Sequence, residues 1–477
     1  MRKEILVNTS LEETKVAVLE NGRLFDLFIE RRESKKILNS IYKGKVKNIV
    51  PALDSAFVDI GFGKSTYLSV CDIVPFCDER NIEKMIKIGQ EIMVQVYKEP
   101  IGTKGPKVTM NISLPGRLLV YIPFGKSIGI SKNIENKREY TRLKNLITRF
   151  KKDIAVPGGI IVRTECEEAS EEEIKNEMKY LTKLWGSIVK RFNDATPMSL
   201  IHKDLGVVFQ IIRDYFSDDV VLMHMDSKKE FKGVIDFVKV VSPDCIDRIA
   251  LYDGKTPIFR AYGIAGEINK LRLNRVKLHS GGYIVIQEAE SLCSIDVNSG
   301  KFTSKSTQED TAILTNLEAA EEIARQLRLR NIGGIVVIDF IDMKKGKNRQ
   351  KILEKFRKAT RGDKAKIKIW PITKLGLIEM TRERKRESLF FFLGDTCPIC
   401  RGLGLILSKE SIFTNVCDEI EQLKVHDYDG KIKINLNPDI VEYFKERKFR
   451  LKELFNTDFD IRESTEVLRE EYQIIFE

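Results

Sequence analysis

The sequence predicts a multidomain protein of mixed class, α/β in one part and α+β in the others. Its 477 residues exceed what one hydrophobic core organises, at a prior of ~150 residues per domain. From Tyr42 to about Lys107 short strands follow one another between Gly-rich turns, the pattern of a small closed barrel. Residues 283 to 343 read instead as strand, strand, helix, strand, and such a helical crossover normally returns to a parallel pair. Hydrophobic residues make up 42% and charged residues 32%, with only 30 Gly and 13 Pro, which excludes collagen-like and wholly disordered chains.

Taken in order, Glu4 to Asn8, Thr14 to Leu19 and Leu24 to Glu30 largely alternate apolar and polar, and Asn21-Gly22 is the chemistry of a tight hairpin turn. The barrel segment offers Lys43 to Val46, Ala56 to Ile60, Ser65 to Leu68 and Glu91 to Val96. Helical spacing follows over Glu135 to Phe150 and Ser170 to Phe192, with Ser170 and Glu173 forming a capping box and Ile160 to Thr164 a strand between them. Leu205 to Ile212 and Val220 to Met225 are short apolar runs that fit either element type. Tyr283 to Gln287 and Leu292 to Asn298 are strands. Gln308 to Arg330 is a helix with Ile313, Leu317, Ala320, Ala324 and Leu327 on one face, stopped by Gly333-Gly334. Ile335 to Phe340 is a continuous apolar strand, followed by a helix at Gln350 to Thr360, a strand at Ile367 to Pro371 and a helix near Leu377 to Arg386.

Lys and Arg number 81 against 70 Asp and Glu, a formal charge of +11, spread along the chain rather than gathered in a tail. That balance suits a groove for a polyanion, and equally a surface kept soluble by charge. Met1 to Ile5 has no signal-peptide core, and no run reaches the ~18 apolar residues of a membrane span, so a cytoplasmic protein is expected. The eight cysteines form no regular framework and read as reduced thiols, with telling spacing only at Cys397 and Cys400.

The strand period of two sets Ser294, Asp296 and Asn298 on one face and Cys293, Ile295 and Val297 on the other. Asp339 lies inside the second apolar strand, Ile335 to Phe340, where a carboxylate is costly unless paired, hydrogen-bonded or metal-bound. Two converging carboxylates with room for waters and a phosphate oxygen are what Mg²⁺ takes from a protein, and in a basic chain the matching chemistry is phosphodiester cleavage. The plainer reading makes Asp296 a surface residue and Asp339 a cap or an arginine partner.

Leu292 to Asn298, the helix Asn316 to Arg330 and the segment Gly333-Gly334-Ile335-Val336-Val337-Ile338-Asp339-Phe340-Ile341-Asp342-Met343 closely resemble the catalytic region of the ribonuclease E/G family. Ile41 to Val46 with Ala56 to Ile60 resembles that family's OB-type RNA-binding barrel, and Cys397-Pro398-Ile399-Cys400-Arg401-Gly402 its zinc link. The resemblance implies an RNase H-like domain from 1–34 and 206–272, interrupted by the barrel at 35–117 and a 5′-sensing region at 118–205. A DNase I-like catalytic domain at 273–394, the zinc link at 395–404 and a small carboxy-terminal domain at 405–477 follow. With 77 residues after Cys400, the chain is expected to lack the long tail of the family's larger members.

The implied activity is Mg²⁺-dependent, single-strand-specific endoribonuclease cleavage in ribosomal RNA maturation and messenger RNA turnover, leaving 5′-phosphate and 3′-hydroxyl ends. Asp296 and Asp339 match the family's metal-binding aspartates and Asn298 the asparagine on the scissile phosphate. Arg163 and Thr164, with Gly116, Val120 and Lys374, fall where the family binds a 5′-monophosphate. Its usual residue at Lys374 is Arg, whose bidentate fork lysine lacks. Phe57 and Tyr67 match the barrel aromatics that stack on bases, and Lys104 and Lys107 could add phosphate contacts. Without the family, these residues read as a solvated arginine, core aromatics and loop lysines. Cys397 and Cys400 supply half of a tetrahedral zinc site. The family completes it by sharing one Zn²⁺ between two chains, giving homodimers that pair into homotetramers, whereas Cys417 and a histidine could close it within one chain. The alternative function is a noncatalytic RNA-binding or filament-associated structural protein.

Overall fold

The computed structural model describes residues 2–31, 37–75, 81–99, 105–167, 169–204, 206–216, 219–241, 243–300, 308–400, 402–423 and 430–476. Two compact units partition at Leu389 and Phe390. In the first unit one sheet joins distant parts of the chain. Its strands run in the order Ile249–Leu251, Val220–Met225, Lys3–Thr9, Glu13–Glu20, Arg23–Arg31. The last three are antiparallel, and Asn21 and Gly22 turn with φ of 49° and 78°, the left-handed pair that a two-residue hairpin requires. Lys3–Thr9 pairs in parallel with Val220–Met225, so the latter ambiguous run is a strand. The other, Val207–Tyr215, is a helix, because Val207, Val208, Ile211 and Ile212 recur at helical spacing and pack on Ile5, Val7, Val16 and Phe28.

Inserted between these halves, Ile41–Val50, Ser55–Asp59, Thr66–Ser69, Lys107–Thr109 and Glu91–Lys98 pair in succession, and the last pairs back on the first to close a five-stranded, OB-like barrel. Val46, Val58, Leu68, Val94, Val96 and Val108 fill it. Ser199–His202 adds to its Ile41–Val50 strand from outside. A second sheet, ordered Ile128–Ile130, Gly159–Val162, Leu119–Ile122, Leu114–Pro115, carries the helices Lys137–Asp153 and Glu171–Asp194, and the Ser170–Glu173 capping box forms as the sequence predicts.

A third sheet of six strands is ordered Arg275–Lys277, Tyr283–Glu288, Leu292–Asn298, Gly334–Asp339, Leu377–Arg382, Ile367–Ile369. Here the expected helix near Leu377 to Arg386 is corrected to a strand. Ile378, Met380 and Arg382 are buried while Glu379 is exposed, a period of two that pairs antiparallel with Gly334–Asp339. The helix Gln308–Leu329 ends at Asn331, whose φ of 53° makes the left-handed turn expected of Gly333-Gly334. Those glycines also allow a close approach, since a Cβ at Gly333 would lie 2.7 Å from Arg384, and Gly334 has a φ of 99°.

That helix carries more than the predicted apolar face. Ala320, Ala324 and Leu327 pack on the third sheet, yet Glu322, Arg325 and Arg328 are buried as well. Arg328 Nη2 donates to Glu20 Oε1 at 2.8 Å and Asp26 Oδ2 at 2.5 Å, and Arg325 donates to Glu322 and to the Leu24 carbonyl. Glu20, Leu24 and Asp26 belong to the first sheet, so the helix is sandwiched and its polar residues are paired where water is excluded.

In the second unit Lys431–Leu436 lies between a parallel strand, Asp458–Glu463, and an antiparallel one, Tyr472–Phe476. Helices Lys409–Gln422 and Pro438–Phe455 bury Ile412, Val416 and Phe444 against it. Among the described residues no helix is long and apolar enough to cross a membrane.

Candidate functional site

The strand Leu292–Asn298 buries Cys293, Ile295 and Val297 and turns Ser294, Asp296 and Asn298 outward, as its alternation predicts. In the parallel pairing with Gly334–Asp339, Asp296 is directly opposite Asp339. Neighbouring strands lie about 4.8 Å apart, so the two carboxylates leave the sheet side by side. Asp339 is exposed at the strand end rather than enclosed in its apolar run, because Ile335 and Asp339 share the outward face. Asn298 Nδ2 donates to Asp296 Oδ2 at 2.7 Å, which fixes the amide beside that carboxylate.

Partial burial, then the charges of Asp296 and Asp342, push the Asp339 carboxyl above the usual carboxylate range. Asp342 is thus a third acidic group at this edge, which sequence reasoning did not single out. Its signal was the recurrence of aspartate three residues beyond a strand-ending aspartate. The segment is clamped by Asn316, a fully buried side chain on the helix Gln308–Leu329 that donates to the Ile341 carbonyl at 2.8 Å and accepts from its N–H at 3.0 Å. Glu309 on the same helix accepts from Lys344 N and Lys345 N, each at 3.2 Å, and from Asn348 Nδ2 at 2.8 Å. Among the described residues no group of three or more His, Cys, Asp or Glu encloses an ion. Two outward carboxylates with open space remain, an all-oxygen donor set that fits Mg²⁺, which keeps several of its own waters.

Lys374 lies in the exposed turn before Leu377, the residue opposite Asp339, so it belongs to the carboxylate edge of this sheet. The described contacts of Arg163 do not include it. Gly116, Val120, Arg163 and Thr164 do come together on the second sheet. Val120 pairs with Ile161, Arg163 N donates to the Leu118 carbonyl at 2.8 Å, and Arg163 Nη1 donates to the Gly116 carbonyl at 2.8 Å. The Thr164 hydroxyl shares a 2.9 Å hydrogen bond with Ser131. Glu177, 4% exposed, holds the turn by accepting from Leu118 N and Leu119 N at 2.9 Å each. Burial pushes its carboxyl up, partly offset by those two bonds. A Cβ at Gly116 would lie 2.1 Å from Glu177 Oε1, so only glycine lets the turn close on this anchor.

On the barrel, Phe57 and Tyr67 are cross-strand partners with ring centroids 6.2 Å apart, edge to face, and Lys107 Nζ lies 5.0 Å over the Tyr67 ring. Tyr97 joins this face, its hydroxyl 3.5 Å from Asp72, and burial followed by the Asp72 charge pushes its phenol up. Sequence reasoning passed over Tyr97, although it stands in the same strand as the buried Val94 and Val96. Lys104 lies outside the described residues.

In the second unit the Cys400 thiol accepts N–H bonds from Gly404 and Gly402 and a bond from Cys397, which hold its pKa below the ordinary thiol value. Cys417 differs. Burial and the nearby Asp418 and Glu421 push its thiol up to about 11.

Residues 113–385 match the model of the Ribonuclease E/G family. Over 451 residues the chain is 38% identical to Ribonuclease G of Haemophilus influenzae, covering 92% of this chain and 91% of that protein. It is 34% identical to Ribonuclease G of Escherichia coli over 457 residues, covering 93% of each. Identity to Ribonuclease E of Haemophilus influenzae is 37% over 456 residues, covering 94% of this chain and 48% of that protein.

Proposed function

Because the chain belongs to the ribonuclease E/G family, we propose that it is an Mg²⁺-dependent endoribonuclease of RNA processing and decay, cutting single-stranded RNA to 5′-phosphate and 3′-hydroxyl ends. The observation that carries this is the register of Asp296 against Asp339 with the Asn298 amide bonded to Asp296. Asp296 and Asp339 would hold the ion, which when bound supplies positive charge at the phosphate and a more acidic water. Asn298 spends one N–H on Asp296 and keeps the other for a phosphate oxygen, a fixed dipole aimed where charge develops. Asn316 and Glu309 keep the Asp339 edge from shifting, and Lys374 adds a cation there. Phe57 and Tyr67 offer ring faces to unpaired bases, which a duplex would withhold. Incubating the protein with a single-stranded RNA, with Mg²⁺ or with a chelator, and mapping the product ends tests the reading. Binding without Mg²⁺-dependent cutting would favour the noncatalytic alternative.

Recognition of a 5′-monophosphate is assigned to Gly116, Val120, Arg163 and Thr164, with the guanidinium as the charged donor. Arg163→Ala is expected to slow cutting of 5′-monophosphorylated RNA by roughly ten- to a hundred-fold, the worth of charged hydrogen bonds of about 1.5–3 kcal/mol. Circular RNA of the same sequence should be cut as before. Equal losses on both substrates would move Arg163 from end recognition to the fold.

Cys397 and Cys400 are assigned to a Zn²⁺ shared with the same pair of a second chain, since two thiolates supply half of a tetrahedral site. Replacing both by Ser should remove zinc and weaken a homodimer or homotetramer. Zinc analysis with sedimentation decides. Half a zinc per chain in an oligomer supports sharing, and one zinc per chain in a monomer rejects it.

A further inference from the structure

Arginine has five N–H donors, and which of them are already spent decides the edge a ligand can meet. Arg163 Nη1 spends both of its hydrogens inside the protein, on the Gly116 carbonyl at 2.8 Å and on Asp214 Oδ1 at 2.9 Å. Nε stands 3.6 Å from Glu165 Oε2, beyond a hydrogen bond, and among the described residues Nη2 donates to nothing. The edge formed by Nε and Nη2 is therefore the open fork, and two parallel donors on one edge match two phosphate oxygens.

The Gly116 carbonyl alone could not fix that edge, because one bond leaves the guanidinium free to swing about it. Asp214 supplies the second point, and Asp214 is itself immobilised. Arg213, a buried side chain, donates to it through Nε at 3.2 Å and Nη2 at 3.0 Å. Lys364 donates to its main-chain carbonyl. Asp214 also comes from a different layer from Arg163. It lies in the last turn of the helix Val207–Tyr215, whose Val208, Ile211 and Ile212 are packed into the first sheet, whereas Arg163 follows a strand of the second.

We propose that Asp214 is a positioning residue for 5′-end recognition: with the Gly116 carbonyl it locks Nη1 of Arg163, so that Nε and Nη2 face the terminal monophosphate. This rests on the assignment of Arg163 to the 5′ end. The competing role is a brake, in which Asp214 occupies Arg163 until phosphate displaces it.

The test compares 5′-monophosphorylated and 5′-hydroxyl forms of one RNA with wild type, Arg163→Ala, Asp214→Asn and Asp214→Ala. Asn keeps an oxygen for Arg213 and so guards against loss of the fold. Positioning predicts that Asp214→Asn raises KM for the monophosphorylated RNA about tenfold with kcat kept, that Ala does so more strongly, and that neither changes cutting of the hydroxyl form. Adding either Asp214 change to Arg163→Ala should cost nothing further. A brake predicts a lower KM in both Asp214 variants and would overturn the proposal, as would equal loss on both RNAs. If wild type shows no preference and Arg163→Ala is silent, the 5′-end assignment itself falls and the proposal with it. A wild-type preference lost in Arg163→Ala but intact in both Asp214 variants overturns the proposal alone.

Discussion

Asp339→Asn is expected to lower Mg²⁺-dependent cleavage of single-stranded RNA by about a thousand-fold or more, the loss of a charged metal ligand and of the charge stabilisation that goes with it. The same holds for Asp296→Asn. Either change removes one of two carboxylates crowded at a single register position, where burial first and then repulsion from the charges of Asp296 and Asp342 hold Asp339 above its ordinary range. Relief of that repulsion means the variants should fold at least as well as wild type without metal. RNA binding should persist, since Phe57, Tyr67 and Lys107 stand on a separate sheet. The measurement is single-turnover cleavage across a Mg²⁺ titration, with binding followed separately in chelator. Cutting by both variants at wild-type rates would remove these carboxylates from the metal site. Loss of binding in step with cutting would indicate misfolding.

Arg328→Met should destabilise the first unit by about 3–5 kcal/mol, because it leaves the buried carboxylates of Glu20 and Asp26 without their shared cation. Domains are stable by only about 5–15 kcal/mol, so much of the margin goes with one side chain. An exposed pair makes the control. Arg149→Met breaks the link to Glu171, both side chains more than half exposed, and should shift stability by less than about 1 kcal/mol. Replacing Glu20 and Asp26 by apolar residues together with Arg328→Met should recover most of the loss, since no charge then stays buried unpaired. Urea unfolding of the four proteins reads all of this. Equal midpoints for Arg328→Met and Arg149→Met would show that the network is solvated.

Periodicity made the candidate edge legible. Leu292–Asn298 alternates cleanly, and a period of two suffices to set Asp296 beside Asn298 without any tertiary information. It failed where long-range burial overrides local pattern. Leu377–Arg382 reads as helical because its neighbours are charged, yet it is paired on both sides, and Arg382 is buried against Asp363 at 2.7 Å. The buried face of Gln308–Leu329 was invisible for the same reason, since Glu322, Arg325 and Arg328 look solvated until the strand Arg23–Arg31 is laid over them. Asp214 was equally hidden, because its partner Arg163 lies 51 residues away in another layer. Lys374 was placed by resemblance with the terminal-phosphate residues, whereas its turn adjoins the strand facing Asp339.

The pairing of Lys3–Thr9 with Val220–Met225 has a consequence for synthesis on the ribosome. At about 5–20 residues per second, the amino-terminal strands wait on the order of 10–40 s before their parallel neighbour has been made. Through that interval the hairpin Glu13–Glu20 to Arg23–Arg31 can close by itself, but the Lys3–Thr9 edge stays open, an unpaired row of amides and carbonyls. The barrel, whose strands all lie between Ile41 and Thr109, is finished well before then. Nascent chains should therefore carry a protease-resistant barrel between ends that remain cleavable, and resistance should spread to both ends together once the helix Lys228–Val241 has emerged to cover the joined sheet.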